Sequence, residues 1–259
     1  MTEKKLTRRQ ILRGSFATAA TTVAVSALAS TPKLSKDVKS VDSSKRWGMV
    51  VDLRRCVGCQ ACTVACKFEN NAPVGQFRTW VSDVEVKTYP ETKRSFVPRL
   101  CNHCEHPSCL SVCPTGATFK REDGIVLVDS DKCWGCGSCV TACPYGARFI
   151  NSETKIADKC TFCAHRLEEG LLPACAETCV GGARVFGDLN DPQSNVSKLI
   201  AEHDVSVLKP SAGTKPSVFY IDLTHSEIAD GEVAPNTWLL DLENSSDDLE
   251  LGFKGVQND

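Results

Sequence analysis

Apolar positions in this chain come in short alternating bursts, and each burst predicts a small element. WVSDVEVKTY and RSFVPRL alternate on either side of YPETK, which predicts a hairpin over 77–99 with a Pro-containing turn. ATFKREDGIVLVD (117–129) alternates around Asp123-Gly124 and predicts a second hairpin. SVFYIDL (217–223) reads as a short strand. Asp191-Pro192 can open a helix, with Asp as cap and Pro in the first turn, running to about His203. Beyond the N-terminal region no apolar run is long enough to cross a bilayer.

The N-terminus has a pattern of its own. Residues 1–13 are polar and basic and include Arg8-Arg9 in TRRQILR. Residues 14–29 are weakly apolar and end in Ala27-Leu28-Ala29, a small-residue cleavage site. A membrane anchor or core helix would be longer and poorer in Ala and Thr. Residues 1–29 therefore read as a twin-arginine export signal, and 30–46, rich in Ser and Lys, as a flexible lead-in. At the other end, 226–259 hold nine Asp or Glu and one Lys, Lys254. That composition predicts a solvated acidic tail, with a docking segment as the alternative.

Length and charge narrow the picture only a little. The chain has 259 residues and a formal charge of −2, room for one large domain or two small ones. It lacks the basic balance expected of a nucleic-acid binder. Cysteine is the outlier, with sixteen residues against five His and two Met.

All sixteen cysteines fall into four quartets: Cys56, Cys59, Cys62, Cys66; Cys101, Cys104, Cys109, Cys113; Cys133, Cys136, Cys139, Cys143; and Cys160, Cys163, Cys175, Cys179. The first and third have the C-x2-C-x2-C-x3-C spacing that ligates a [4Fe-4S] cubane in bacterial ferredoxins. Three close thiolates wrap one cluster through a tight loop, and the fourth sits a turn further on to ligate a second cluster. Structural zinc would use separated C-x2-C pairs. A disulfide framework does not require quartets, and haem attachment needs C-x-x-C-H, which is absent. Four iron–sulfur clusters account for every cysteine.

The quartets also repeat their surroundings. VDLRRC, VDSDKC and ADKC lead into the first, third and fourth. CPTGATF, CPYGARF and CVGGARVF follow Cys113, Cys143 and Cys179. Each Gly permits a sharp turn, and Phe119, Phe149 and Phe186 can shield a cluster from water. The unit is cluster loop, short helix, hairpin, next cluster loop. Pro114 and Pro144 follow the second and third quartets, whereas Lys67 and Val180 follow the first and fourth, which suggests an inner and an outer pair. His103 and His106 lie in the second loop, but four Cys are already present there, so tuning or packing is their expected role. Trp134 stands between ligand positions; Cys136 holds the ligand position, so a four-iron cluster is expected. There is no Ser-His-Asp pattern, open metal site or usual phosphate loop, so no bond chemistry is expected of this chain.

Over residues 47 to about 223 the chain resembles the four-cluster iron–sulfur subunits of molybdopterin (dimethyl-sulfoxide-reductase type) oxidoreductases. The residues carrying the resemblance include DLRRCVGCQACTVAC (52–66), PVGQFRT (73–79), PRLCNHC (98–104), CPYGARFIN (143–151) and ADKCTFCAHRLEEGLLPAC (157–175). Within the family they are most similar to the beta subunits of tetrathionate reductases. The resemblance implies an α+β, loop-rich fold of two ferredoxin-like double-cluster modules with short helices and β-hairpins, built around four [4Fe-4S] clusters within 47–225. It implies cluster 1 on Cys56, Cys59, Cys62 and Cys179; cluster 2 on Cys101, Cys104, Cys109 and Cys143; cluster 3 on Cys133, Cys136, Cys139 and Cys113; and cluster 4 on Cys160, Cys163, Cys175 and Cys66. Residues 47–76 and 157–190 would form the outer pair and 100–156 the inner pair.

The implied partners are a molybdopterin catalytic subunit and a quinol-oxidising membrane subunit, on the periplasmic side of the cytoplasmic membrane. Electrons would pass from quinol to the catalytic subunit, there reducing tetrathionate to thiosulfate. Alternatives are a subunit serving polysulfide, selenate, arsenate or formate, or a free periplasmic carrier. An enzyme using one cluster for radical chemistry would need an incomplete Cys set. The export route fits this reading: clusters are assembled inside the cell as the chain folds, and the twin-arginine pathway carries folded proteins.

Overall fold

The computed structural model describes residues 41–88 and 91–223; the expected export signal, the start of the lead-in, Tyr89-Pro90 of the YPETK turn, and the acidic tail lie outside these. Within them the chain is α+β, with short helices and strands joined by long loops.

Four strands form the one sheet of more than two strands among the described residues: β1 (Trp47–Asp52), β8 (Arg184–Asp188), β9 (Val205–Ser206) and β10 (Val218–Ile221), in the order β8-β1-β10-β9. β1 runs parallel to β10, with Met49 opposite Val218, and antiparallel to β8, with Met49 opposite Phe186. Met49, Val50 and Val51 are all fully buried because both faces of β1 are covered. Met49 and Val51 join the main core with Val218 and Tyr220. Val50 and Ile221 face the other way, onto Val196 and Leu199 of helix Asn195–Glu202. That helix is capped by Ser194, whose side chain accepts from Ser197 N. The predicted start at Asp191 is therefore corrected. Asp191 Oδ1 accepts from Gln193 N and Asp191 O from Ser194 N, which spends its capping capacity on the preceding turn.

The predicted hairpins form. β2 (Thr79–Thr88) pairs antiparallel with β3 (Glu91–Leu100), Thr79 opposite Leu100. β4 (Thr118–Lys120) pairs with β5 (Val126–Val128) around Gly124, whose φ of 88° needs glycine. A third hairpin, β6 (Arg148–Ile150) with β7 (Ala157–Lys159), repeats the expected unit after the third quartet, over a stretch that the alternation of apolar residues did not mark. Its turn is closed by Asn151 Oδ1, which accepts from Glu153 N and Thr154 N. Five further helices carry or adjoin cysteines: α1 (Ala61–Glu69), α2 (Ser108–Ser111), α3 (Ser138–Thr141), α4 (Ala164–Glu168) and α5 (Ala174–Glu177); Asn195–Glu202 is α6. The order helix, strand, strand occurs twice in succession, as α2-β4-β5 and α3-β6-β7.

Residues 41–46, part of the expected lead-in, are bound to the body. Arg46 N donates to Asp188 Oδ1 at 2.8 Å, and the Arg46 guanidinium pairs with Glu105.

Candidate metal centres

The opening C-x-x-C step of each quartet uses one shared backbone device. The third residues of these steps, Gly58, His103, Gly135 and Phe162, all have positive φ, at 70°, 42°, 69° and 51°. A left-handed residue at that place turns successive N–H groups toward one concave side, a nest for a negatively charged group. Glycine adopts it freely, and at Gly58 a Cβ would also come 2.6 Å from the Phe96 ring. His103 and Phe162 carry a backbone strain of about 1–3 kcal/mol each. Both are fully buried, and their rings stack on each other at 3.8 Å between centroids, so packing offsets the strain. Backbone donors do point at sulfur: Phe162 N to Cys160 Sγ at 3.4 Å, Ala183 N to Cys179 at 3.1 Å, Thr118 N to Cys113 at 3.4 Å and Ala157 N to Cys133 at 3.4 Å.

Helix packing brings cysteines from distant quartets together. α1, bearing Cys62 and Cys66, packs on α5, bearing Cys175. α2, bearing Cys109, packs on α3, bearing Cys139, and Ser108 Oγ donates to Ala142 O at 2.8 Å across the pair. Cys56, Cys59, Cys62 and Cys179 line a single recess, with Arg184 in its wall. Cys104 lies within electrostatic reach of Cys101, Cys109 and Cys143; Cys66 of Cys163 and Cys175; Cys160 of Cys66, Cys163 and Cys175; and Cys136 of Cys113. Cys133 and Cys139 share a small apolar cluster with Cys109.

All sixteen thiols are free, and only Cys59 and Cys136 are exposed. Burial pushes the Cys66 and Cys160 thiols far up, Cys104 to about 12 and Cys175 to about 11, in each case with neighbouring cysteines adding to the rise. Burial also acts on Cys113, but donors from Thr118 and Thr115 outweigh it and bring that thiol down to about 7. Buried here, thiolates are costly unless a cationic metal core compensates their charge.

Among the described residues no three His, Cys, Asp or Glu are gathered tightly enough for a single ion. Tetrahedral zinc, with Zn–S of about 2.3 Å, needs that tight gathering. An iron–sulfur cluster spreads its thiolates over several irons and suits a wider cage. Two further signs fit such a guest. Arg148 Nε and Nη2, and Arg184 Nε and Nη1, are buried without a hydrogen-bond partner, on guanidiniums within electrostatic reach of Cys109 and Cys139, and of Cys62 and Cys175.

The other singled-out residues divide. His103 is a packing residue whose Nδ1 accepts from Val126 N at 3.1 Å. His106 is exposed and takes part through its backbone, its N–H donating to Thr214 O. Trp134 is 79% exposed. Phe186 is buried between Trp47 and Phe162, whereas Phe119 and Phe149 are only half-buried. Sequence reasoning passed over Arg148 and Arg184, although both stand five residues after a Cys in the matched exits CPYGARF and CVGGARVF. The signal was the repeated Arg, overlooked beside the Gly and Phe.

Comparison with known proteins now bears on the guest. Residues 47–68 match the 4Fe-4S binding domain family and 92–189 the 4Fe-4S dicluster domain family. The tetrathionate reductase beta subunit of Salmonella typhimurium is 52% identical over 199 residues, 74% of this chain and 80% of the relative. The chain belongs to the iron–sulfur (beta) subunit family of the molybdopterin oxidoreductases. Two more relatives show its breadth. The tetrathionate reductase beta subunit of Archaeoglobus fulgidus is 46% identical over 188 residues, 72% of this chain and 87% of the relative. The arsenate respiratory reductase iron–sulfur subunit of a Shewanella species is 40% identical over 224 residues, 68% of this chain and 96% of the relative. As an iron–sulfur beta subunit the chain transfers electrons and is not itself the catalytic subunit. No helix among the described residues is long and apolar enough to cross a membrane.

Proposed function

We propose that this beta subunit is a four-cluster electron wire for tetrathionate reduction. Cys56, Cys59, Cys62 and Cys179 hold cluster 1; Cys101, Cys104, Cys109 and Cys143 hold cluster 2; Cys133, Cys136, Cys139 and Cys113 hold cluster 3; and Cys160, Cys163, Cys175 and Cys66 hold cluster 4. Clusters 1 and 4 form one ferredoxin-like module and clusters 2 and 3 the other. The observation that carries this reading is the recess in which Cys179 joins the remote Cys56, Cys59 and Cys62.

When bound, each [4Fe-4S] cluster supplies a one-electron redox centre. The chain's residues do the rest. Loop N–H groups soften the negative charge, and the packed helices α1–α5 and α2–α3 set the spacing within each pair. Phe162, Phe186, Leu100 and Tyr145 keep water out of the interior. Cys62 lies within reach of Cys175, and Cys160 within reach of Cys101, which orders the wire 1–4–2–3. Its ends then fall at the two exposed cysteines, Cys59 and Cys136, where partners would hand electrons in and out. The partners are a quinol-oxidising membrane subunit and a molybdopterin catalytic subunit, which turns tetrathionate into thiosulfate. Residues 1–29 send the folded, loaded chain through the twin-arginine route to the periplasmic side of the membrane, where its partner holds it; 30–40 lead into the wire, and 226–259 are a solvated tail.

The test is the purified membrane complex. Reduced viologen should be oxidised by tetrathionate, and metal analysis should find about sixteen irons per chain, four for each of four clusters. Oxidation by selenate, arsenate or polysulfide but not by tetrathionate would remove the substrate assignment. A chain purified alone that still exchanges electrons would make it a free carrier.

A further inference from the structure

Each junction along this wire contains one buried cation. Arg148 is 3% exposed and lies within electrostatic reach of Cys101 and Cys109 on one side and Cys139 on the other. Arg184 is 4% exposed and faces Cys175 and Cys66 on one side and Cys62 on the other. Lys159 is 1% exposed, within reach of Cys101 and Cys160. Under the cluster assignment above, on which this inference rests, these are the 2/3, 1/4 and 4/2 junctions.

The two arginines are held alike. Each guanidinium spends one nitrogen on a buried threonine: Arg148 Nη1 on Thr118 Oγ1 at 3.1 Å, Arg184 Nη2 on Thr79 Oγ1 at 2.8 Å. Each leaves two nitrogens without a nitrogen or oxygen partner among the described residues, with Cys139 beside Arg148 and Cys175 beside Arg184. Neither pairs with a carboxylate among the described residues, although each opens a strand and stands five residues after a ligand-position Cys. Lys159 Nζ donates to Val126 O and Cys160 O and likewise has no acidic partner among the described residues. A buried charge without a carboxylate needs another counter-charge. The thiolate-bound clusters beside it are the anions available.

We propose that Arg148 and Arg184, with Lys159 between them, are positioning charges that set the cluster potentials pairwise. A fixed positive charge between two clusters favours the added electron on both, so it raises both potentials together. The wire is thereby tuned by junction instead of by single cluster.

Redox titration of the purified complex, followed by electron paramagnetic resonance, tests this. Arg148→Gln should lower the potentials of clusters 2 and 3 and leave 1 and 4 in place. Arg184→Gln should do the reverse. The expected size is about a tenfold fall in each reduction equilibrium constant, which is 59 mV for a one-electron couple. Arg148→Lys and Arg184→Lys keep the charge and should keep the potentials. Unchanged potentials in the Gln variants overturn the proposal, as does a shift of all four clusters by either one. If a Gln variant fails to load iron, the Lys variant decides: a fall as seen for lost charge overturns the inference, and retained potentials support it. Wild-type complex showing fewer than four signals would instead refute the four-cluster reading itself.

Discussion

Replacing Phe162 separates backbone strain from core packing at the centre of the molecule. Its ring is buried, stacks on His103 at 3.8 Å and meets Phe186 edge-on at 5.1 Å, while its φ is 51°. Phe→Ala at a buried site costs about 3–5 kcal/mol. Alanine inherits the left-handed backbone, worth about 1–2 kcal/mol against any residue with a Cβ. Glycine loses the same ring but escapes that strain, at an entropy cost of about 0.5–1 kcal/mol relative to alanine. The balance favours Phe162→Gly over Phe162→Ala by about 0.5–1 kcal/mol, the reverse of the order in a helix or strand. Because cluster loss makes unfolding irreversible, the readout is the rate at which iron–sulfur absorbance bleaches at a fixed elevated temperature. Both variants should bleach much faster than wild type, with alanine about 2–5-fold faster than glycine. A glycine variant that bleaches faster than the alanine variant would refute the left-handed strain. A wild-type rate in either would refute the packing.

Three other outcomes follow from the same structure. Cys179→Ser and Cys59→Ser should perturb one and the same cluster signal, and Cys66→Ser and Cys160→Ser a different one; a shared loss between Cys179→Ser and Cys160→Ser would break the proposed pairing. Glu69 Oε1 meets His165 Nε2 at 2.7 Å and Glu69 Oε2 meets Arg166 Nη1 at 3.0 Å, joining α1 to α4, and the His165 contact leads the causes that hold its carboxyl below the usual range. A depressed folded pKa stabilises above the unfolded value of about 4.3 and loses that contribution as pH falls through the folded one. Glu69→Gln should therefore cost about 1 kcal/mol at neutral pH and little once acid has protonated Glu69, measured by bleaching rate against pH; an equal deficit at all pH values would point to shape instead of charge. Finally, Arg8→Lys with Arg9→Lys should leave loaded protein in the cytoplasm on cell fractionation, and undiminished periplasmic protein would remove the twin-arginine assignment.

Much of the candidate site could be read from sequence because its parts are local. The C-x-x-C steps are loops of a few residues, and Asp123-Gly124 forces a turn within its own neighbourhood. The hairpins over 77–99 and 117–129 follow from alternation of period two. The elements that escaped had no such signal. WGMVVD does not alternate, because β1 is covered on both faces, and its parallel partner lies at the far end of the described chain, Met49 opposite Val218. Asp191 was the expected helix cap, and only the turn geometry showed that the Ser194 side chain is the one that accepts from an N–H of the helix.

The sequence by itself determined that this is an iron–sulfur protein with its cysteines in four short quartets, since ligand spacing is a short-range property of the chain. Only the tertiary structure decided what surrounds them. It showed that at two of the four matched left-handed loop positions the residue is not glycine, and that these two, His103 and Phe162, stack on each other across quartets. It also showed Arg148, Arg184 and Lys159 buried with no carboxylate partner among the described residues, each near sulfurs from more than one quartet. Burial and charge neighbourhood depend on which distant segments pack together, and no local pattern of residues carries that information.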